Sequence, residues 1–363
     1  MRLWFVQPTV CVNYNMKQAL LGKTLEELQQ VALSVGLQKF AGKQLAQWLY
    51  VRRVTSFDQM TNISLKGRLA LEQQYTIGRH QPVAEAVSQD GTKKYLFRIS
   101  NSVSGLTSNS SAYIESVYIP DNDRATLCVS TQAGCKMGCK FCMTGTLGFH
   151  GQLPAAEILN QIFSIPDSDK LTNIVYMGEG EPMDNIDHVL RSLQVMTADW
   201  GCAWSPKRIT VSTVGVVPGL QRFLQESDCH LAISLHNPFG AERQDIMPIE
   251  KRYHLTDVLA LLKQYDWQHQ RRVSFEYICW HNLNDTVRHA KELLRLLRGL
   301  PCRINLIRFH AGVDQTFAGS DEKQMEWLRD YLSDNGITTT IRRSRGEDIL
   351  AACGMLVNAL SQE

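Results

Sequence analysis

The stretch GCKMGCKFC, residues 134–142, places Cys135, Cys139 and Cys142 in a C-x3-C-x2-C spacing. Thiolates this close in sequence can surround one metal centre, and their soft sulfur atoms favour zinc, copper(I) or an iron–sulfur cluster. A closed structural zinc site needs four ligands, whereas this stretch supplies three, and the nearest histidine, His150, follows a glycine-containing loop. Three protein ligands on a four-iron cluster leave one iron open for a substrate or cofactor. Buried structural cysteines, or a zinc knuckle with a distant fourth ligand, remain alternatives.

The composition is that of an ordinary globular protein. The chain has 363 residues, of which 44% are hydrophobic and 20% charged, and no apolar run reaches the length of a membrane span. We therefore expect one large domain, a smaller one and no membrane contact. Residues 1–15 lack the features of a signal peptide, and Met16 as an alternative start would make them an extension. Ten cysteines, three of them at metal spacing and the others scattered, favour a reducing, cytoplasmic location.

A net charge of +2 is too small to indicate nucleic-acid binding by itself. Contact with RNA would have to come from local basic clusters such as Arg342, Arg343 and Arg345. Each such cluster alone is more often a solvated surface than a binding site.

The first part of the chain is helical in pattern and the second is strand-like. Thr24 and Glu27 form a capping box before an apolar stripe, a second helix is predicted through residues 44–50, and a third follows Ser64. From about residue 82 the rhythm changes to strands, with a hairpin turn at Asp90-Gly91 and alternation over residues 113–119.

Strand-like and helix-like segments alternate after the cysteines, which indicates βαβ units and a parallel sheet. The predicted strands are residues 125–130, 173–177, 208–213, 230–235, 272–278 and 303–309. Six strands are too few for a closed eight-stranded barrel, so we expect an open, partial (β/α)6 barrel in the α/β class. Its site should lie at the carboxyl ends of the strands.

Polar motifs stand where these strands end. The turn Gly178-x-Gly180-Glu181-Pro182 combines backbone freedom with a carboxylate that could receive a ligand's ammonium group. Ser212 and the segment 234–236 offer hydroxyl, backbone and imidazole partners for ribose or carboxylate oxygens. Taken alone, all of these are also ordinary turn residues.

The cysteine spacing resembles the signature of the radical S-adenosylmethionine (SAM) superfamily. The resemblance implies that Cys135, Cys139 and Cys142 hold a 4Fe-4S cluster whose open iron chelates the amino and carboxylate groups of SAM. The SAM contacts that it implies are Gly180, Glu181, Ser212, Ser234, Leu235, His236 and His310. Two positions depart from the pattern: Glu179 stands where Met is usual and adds an unexplained charge, and His310 stands where many members have Asn.

A narrower resemblance rests on two further cysteines. Cys128 lies seven residues before the cluster motif and Cys353 lies in GEDILAACG, residues 346–354; together they resemble the catalytic pair of the RlmN/Cfr RNA-adenosine methyltransferases. Similarity runs from roughly residue 115 to 355. It implies that Cys353 takes a methyl group from one SAM and that a 5′-deoxyadenosyl radical from a second SAM activates it. The resulting methylene radical adds to adenine, Glu115 acts as proton acceptor, and a transient Cys128–Cys353 disulfide releases the RNA.

The expected activity is methylation of adenine carbon 2 in 23S rRNA and in tRNA beside the anticodon, since the segment 115–128 resembles the RlmN branch more closely. A Cfr-type enzyme acting on carbon 8 and conferring antibiotic resistance, and a non-catalytic iron–sulfur or zinc protein that binds RNA, remain alternatives. The resemblance also implies an electron donor such as flavodoxin or ferredoxin, and we expect a monomer. The expected domains are an extension with a helical RNA-binding accessory domain (1–80), linking strands (81–124) and the barrel with a C-terminal catalytic segment (125–363).

Overall fold

The computed structural model describes residues 17–99, 113–267, 272–310, 317–352 and 354–356. Two features singled out in the sequence, the extension of residues 1–15 and the cysteine at position 353, lie outside these ranges.

The N-terminal segment is a small helical unit, as predicted. Helix α1 (Leu25–Ser34) begins at Thr24, and the capping box is confirmed: the Glu27 amide donates to Thr24 Oγ1 at 3.3 Å, and the Thr24 amide donates to Glu27 Oε2 at 2.8 Å. The second predicted helix is present as α2 (Ala41–Ala46), which continues into a π-helical turn over residues 47–51. Helix α3 (Leu65–Gln74) is capped by Ser64, also as predicted. Two short parallel strands, β1 (Gln18–Ala19) and β2 (Tyr75–Thr76), bring the ends of the unit together.

The other described strands form one large sheet and one hairpin. In chain order they are β3 (Ala84–Val87), β4 (Lys93–Arg98), β5 (Tyr113–Asp121), β6 (Arg124–Cys128), β7 (Gln132–Gly134), β8 (Phe149–Gln152), β9 (Asn173–Tyr176), β10 (Ile209–Thr213), β11 (His230–Ser234), β12 (Val273–Cys279), β13 (Cys302–Arg308) and β14 (Thr339–Ile341). Strands β7 and β8 pair as a hairpin whose first strand leads directly into the cysteine stretch.

The large sheet has ten strands within the described residues, in the order β14-β13-β12-β11-β10-β9-β6-β5-β4-β3. The strands from β14 to β6 run parallel, and β5, β4 and β3 continue the sheet antiparallel. All six predicted parallel strands are confirmed, and β14 is an additional one. It was missed because its three residues lie in the polar run TTTIRR, which has no strand periodicity. The predicted Asp90-Gly91 turn joins β3 to β4.

Helices follow the parallel strands and cover one face of the sheet. They are α4 (Met143–Thr146), α5 (Ala155–Ser164), α6 (Ile186–Thr197), α7 (Val217–Glu226), α8 (Gly240–Ile246), α9 (Leu255–Leu262), α10 (Val287–Leu297) and α11 (Glu322–Asp334). Each longer helix buries one apolar stripe; α10, for example, buries Ala290, Leu293 and Leu297. Strand β12 is buried along its whole length, as expected for a central parallel strand.

The opposite face of the sheet is concave, because alternate residues of β6, β9, β10, β12, β13 and β14 line one shared cavity. Strands β3 and β14 are the edges of the sheet among the described residues, so the sheet is an open, partial α/β barrel. No helix in the described ranges combines the length and apolar character needed to cross a bilayer.

Candidate active site

The three cysteines of the 134–142 stretch line a cavity at the carboxyl ends of the parallel strands. We call it the cysteine cavity. The strand-end residues around it are Gly178, Gly180, Glu181 and Pro182 after β9, Ser212, Thr213 and Val214 at the end of β10, Ser234 and His236 after β11, and Glu276 and Ile278 of β12. The cavity therefore stands where parallel α/β barrels place their sites.

The cysteine loop is held in shape by backbone hydrogen bonds to distant segments. The Cys135 amide donates to the Gly148 carbonyl at 2.8 Å, and the Lys140 amide donates to the Ile246 carbonyl at 3.0 Å. Gly134 has φ +68°, and a Cβ there would lie 1.9 Å from the Gly148 oxygen. Glycine is thus required where the loop begins.

The three thiols are a suitable donor set for a 4Fe-4S cluster. Burial raises the pKa of Cys135 to about 12, and it raises the pKa of Cys139 and Cys142 above the usual range, with the neighbouring cysteines adding to the effect on Cys139. Without iron the sulfurs are neutral thiols, and ligation replaces their protons. Within the described residues no three His, Cys, Asp or Glu side chains converge on a single metal-ion position. A cubane cluster takes its cysteines on separate irons.

The glycine turn after β9 is packed so closely that its conformation is fixed. Gly180 has φ +94°, and a Cβ there would lie 2.4 Å from Gln132 Cβ. The Glu181 carboxylate accepts bonds from Thr213 Oγ1 (2.5 Å), the Val214 amide (2.9 Å) and the Met183 amide (3.0 Å), and burial raises its pKa to about 7. Glu181 therefore ties the β9 turn to the end of β10, and a contact between its side chain and SAM stays a prediction.

Arg243 of α8 joins the ends of two strands beneath the cysteine cavity. It is fully buried, and its guanidinium donates to the carbonyls of Leu235 (3.0 Å), Val214 (2.8 Å) and Ser234 (2.9 Å) and to the Glu250 carboxylate. These bonds satisfy carbonyls at the strand ends, of which that of Leu235 also accepts the Asn237 amide at 2.6 Å. Arg243 thus positions Ser234 and Leu235, two of the predicted SAM contacts, and Val214, two residues after a third, Ser212.

His236 is neutral and presents a single N–H donor. Its Nδ1 accepts the Ile278 amide at 3.1 Å, and burial, with the nearby charge of Arg243, lowers its pKa to about 3. The remaining proton is therefore on Nε2. The ring lies edge-on to Phe141 of the cysteine loop, with centroids 4.8 Å apart.

The concave face of the sheet lines a second cavity, which we call the barrel cavity. Cys128, the last residue of β6, lines it and packs with Val117 against Ala351 and Leu356, residues on both sides of position 353. Gly354 lines both cavities, and its carbonyl accepts the Met143 amide at 2.8 Å. The C-terminal segment therefore lies between the cysteine loop and Cys128.

Glu115, the predicted proton acceptor, is buried on the same sheet face as Cys128. Val117 pairs directly with Cys128, and side chains two residues apart on a strand share a face. Lys94 Nζ lies 3.0 Å from Glu115 Oε1, and both side chains are almost entirely removed from solvent. Glu115 is 1% exposed, whereas a carboxylate on an alternating strand normally faces water.

Glu179, which had no explanation in the sequence, links Glu115, the predicted proton acceptor, to the cysteine loop. Its carboxylate accepts the Glu115 amide at 2.8 Å and the Gly134 amide at 3.2 Å. Burial raises its pKa to about 8, so near neutral pH it is largely protonated. The Glu179 amide donates to Ser130 Oγ, which in turn donates to the Glu115 carbonyl.

The barrel cavity carries a strong positive charge. Its cationic lining residues are Arg124, Lys207, Arg272, Arg303, Arg342, Arg343 and Arg345. Burial and the charges of Arg303, Arg124 and Arg342 lower the pKa of Arg272. Guanidinium groups that repel one another across an open cavity are suited to a polyanion such as an RNA backbone.

The expected site residues divide between the two cavities. Gly180, Glu181, Ser212, Ser234 and His236 line the cysteine cavity together with the three cysteines. Leu235 is fully buried beneath it, and His310 lines the barrel cavity, where its Nε2 is 2.6 Å from Ser344 Oγ. Sequence reasoning missed Thr213, Lys94 and Glu276. Only Glu276 carries a signal, as the sole charged residue in the buried strand VSFEYIC.

Two family profiles match the chain. The ribosomal RNA large subunit methyltransferase N-terminal domain matches residues 18–77, and the radical SAM superfamily matches residues 129–297. The chain is 54% identical over 347 residues to the probable dual-specificity RNA methyltransferase RlmN of Phocaeicola vulgatus, covering 96% of this chain and 97% of the relative.

Two further matches also span nearly the whole chain. It is 56% identical to the protein of the same description from Bacteroides fragilis, covering 96% of this chain and 98% of the relative. The crystal structure of a radical SAM methyltransferase from Sphaerobacter thermophilus is similar with a TM-score of 0.85 at 35% identity, covering 93% of this chain and 98% of that one.

Proposed function

The chain belongs to the RlmN family of dual-specificity RNA methyltransferases, within the radical SAM superfamily, and we propose that it methylates carbon 2 of adenosine in 23S rRNA and in tRNA beside the anticodon. The observation that carries this proposal is the position of the C-terminal segment. Residues on both sides of Cys353 pack against Cys128, and Gly354 is hydrogen-bonded to the cysteine loop. The segments that would start the reaction, carry the methyl group and release the product thus meet.

Membership of the superfamily implies a 4Fe-4S cluster and SAM. Cys135, Cys139 and Cys142 would hold the cluster, which with SAM would supply the one-electron chemistry that lets a methyl carbon bond to an electron-poor ring carbon. Cys353, as thiolate, is the proposed acceptor of a methyl group from one SAM, since thiolate is the nucleophilic form of cysteine. That methyl group would give one hydrogen atom to the 5′-deoxyadenosyl group of a second SAM, and its carbon would then bond to adenine carbon 2. The unpaired electron left on the adenine would return to the cluster as carbon 2 loses its proton.

Release of the RNA needs a base and a second thiol. Glu115 is the proposed base for the proton on carbon 2, and Lys94 holds its carboxylate in a fixed place by the buried ion pair. Cys128 then attacks the Cys353 sulfur, so that a disulfide forms, the carbon–sulfur bond breaks and the methyl carbon takes a proton. External thiol reduces the disulfide for the next cycle.

The RNA would be held by two parts of the chain. The basic barrel cavity fits the phosphates beside an unstacked adenosine, and the N-terminal helical unit, which matches the rRNA methyltransferase N-terminal profile, is the proposed second contact. We place the reaction in the cytoplasm, with an electron donor such as flavodoxin or ferredoxin and a monomeric enzyme.

The decisive experiment is anaerobic incubation of the iron-loaded protein with SAM, reductant and either a 23S rRNA fragment or tRNA. Digested nucleosides are then compared by mass spectrometry with 2-methyladenosine and 8-methyladenosine. We expect 2-methyladenosine in both RNAs, dependent on reductant. Product at carbon 8 alone would replace this assignment by the Cfr-type one. No methylated adenosine from protein with a full cluster would refute the methyltransferase function.

A matched pair of variants separates the chemistry from RNA binding. Cys353→Ala should abolish methyl transfer while RNA affinity stays within about twofold of wild type, because one small side chain adds little to an electrostatic interface. Cys302→Ala, at the first residue of strand β13, should retain activity. Full activity of Cys353→Ala would contradict the proposed methyl carrier.

A further inference from the structure

Glu276, in the middle of β12, is a buried carboxylate that the proposed steps do not use. Its side chain is 4% exposed. Oε1 accepts hydrogen bonds from Asn305 Nδ2 at 2.8 Å and Ser274 Oγ at 3.2 Å, and Arg342 Nη2 lies 3.3 Å away. Oε2 is equally buried but has no hydrogen-bond partner among the described residues. One oxygen is therefore fully held while the other is left without a donor.

A buried carboxylate oxygen without a donor calls for an explanation, because burial removes its hydrogen bonds to water and no protein donor replaces them. The three groups on Oε1 fix the orientation of the carboxylate, and Asn305 is itself held by Thr340, whose Oγ1 donates to Asn305 Oδ1 at 3.0 Å. Such an arrangement is typical of a binding group that is positioned in advance for a ligand's donor. The missing partner is then a neutral or cationic N–H or O–H group.

Glu276 stands at the wall shared by the two cavities. It lines the cysteine cavity, whereas Ser274, Asn305 and Arg342, which hold it, all line the barrel cavity with Cys128. Ile307, two residues along β13 from Asn305, lines both. A group that meets Glu276 from the barrel cavity is therefore close to the C-terminal segment that carries the proposed methyl carrier.

Given the function proposed above, we propose that Glu276 Oε2 accepts a hydrogen bond from the exocyclic 6-amino group of the target adenine. Enzymes that act on an extruded base identify it by hydrogen bonds to its polar edge. A carboxylate accepts from an amino group and repels the 6-oxo group of guanine or hypoxanthine. Asn305 and Arg342 are positioning residues that keep the carboxylate oriented. The adenosyl part of SAM carries the same amino group, but the residues that hold Glu276 all face the barrel cavity, which favours the target base.

The test is a double comparison of two substrates and two proteins. Synthetic anticodon stem-loop RNAs carry either adenosine or purine riboside, which lacks the 6-amino group, at the target position, and kcat/KM is measured for wild type and Glu276→Ala. The ratio of kcat/KM for the adenosine RNA to kcat/KM for the purine riboside RNA should be roughly 10 to 100 times larger in wild type than in Glu276→Ala. This is the usual effect of one hydrogen bond to a charged group. Differences in the intrinsic reactivity of the two bases cancel in the ratio of ratios.

A second variant covers the case in which alanine disturbs the fold. Glu276→Gln has nearly the same volume, and its amide can donate to a 6-oxo group, so the ratio of inosine to adenosine turnover should rise roughly tenfold over wild type. Binding of the same RNAs to cluster-free protein, followed by fluorescence anisotropy, gives a readout independent of turnover. The loss of preference for adenosine should appear there too.

Three results would overturn the assignment of Glu276. An equal loss of activity on both RNAs, with unchanged selectivity in both variants, would indicate a structural role. If the Glu276 variants instead lose the preference for SAM over a SAM analogue with purine in place of adenine, the carboxylate binds the cofactor and not the target base. Wild type that makes no methyladenosine would refute the proposed function itself, whereas active wild type with no change in selectivity refutes this assignment alone.

Discussion

Replacing Arg243 by methionine should be among the most damaging single changes outside the cysteines. The guanidinium is fully buried and serves four acceptors, the Leu235, Val214 and Ser234 carbonyls and the Glu250 carboxylate. Methionine fills a similar volume, so the main loss is electrostatic and not a cavity. The change leaves Glu250 as a charge at 4% exposure without its counter-ion.

The expected loss follows from the stranded carboxylate. Removing one partner of a buried ion pair costs about 3 to 5 kcal/mol of unfolding free energy, largely because the other charge stays buried. Replacing both, as in Arg243→Met with Glu250→Met, removes that penalty and should recover roughly 2 kcal/mol. Recovery is incomplete, since Glu250 also accepts the Leu255 amide at 3.0 Å and the carbonyls of Val214 and Ser234 lose the donor that Arg243 supplied.

Urea unfolding of the cluster-free, reduced protein measures this loss, with the two single variants and the double variant compared to wild type. Arg295→Met is the matched control: Arg295 pairs with Glu292 at 2.6 Å, but its side chain is 66% exposed. An exposed pair contributes less than about 1 kcal/mol. SAM affinity of the iron-loaded Arg243 variant should also fall, because Ser234 and Val214 line the cysteine cavity.

A loss below about 1 kcal/mol for Arg243→Met would show that water or repacking satisfies Glu250, contrary to the burial described here. Strict additivity of the two single changes would likewise refute the idea that one charge is stranded by loss of the other.

Three further changes have distinct expected results. The Glu179 pKa of about 8 lies above its ordinary value of 4.5; its stabilising contribution is therefore complete below pH 4.5 and lost as the pH rises through 8. Between pH 4.5 and 8 the unfolding free energy of wild type should fall by up to roughly 5 kcal/mol more than that of Glu179→Gln. The same pH dependence in both proteins would contradict the burial of the carboxylate. Gly180→Ala should weaken SAM binding at least tenfold in equilibrium titration, because a Cβ collides with Gln132 at 2.4 Å; wild-type affinity would show that the turn can shift. Cys128→Ser should accumulate RNA covalently bound to protein, seen as a band shifted on denaturing gels, whereas Cys302→Ser should not; a shifted band with both would exclude Cys128 as the resolving thiol.

Much of the architecture follows from local sequence pattern. Short apolar runs separated by helical periodicity identified six parallel strands, and the capping box at Thr24 located the first helix. These features depend on residues close in sequence, which is why pattern alone finds them. Strand β14 has no such pattern, and its pairing with β13 over residues 304–306 determines it instead.

The site was only partly predictable for the same reason. Cysteine spacing and strand-end motifs indicated which residues surround the cysteine cavity. By contrast, the ion pair of Lys94 with Glu115 and the link from Glu179 to the cysteine loop join segments tens of residues apart. A carboxylate on an alternating strand gives no sign that it will be buried beside a lysine of the neighbouring strand. Burial of this kind is a property of the assembled fold.

The meeting of Cys128 with the C-terminal segment also has a consequence for synthesis of the chain. The cysteine loop emerges from the ribosome about 200 residues before Cys353, a delay of roughly 10 to 40 s at ordinary elongation rates. During that time a nascent chain can fold the first part of its sheet and acquire iron, yet it lacks Cys353, the proposed methyl carrier. If Cys353 has that role, a polypeptide cut short before residue 353 would be able to consume SAM without modifying any RNA.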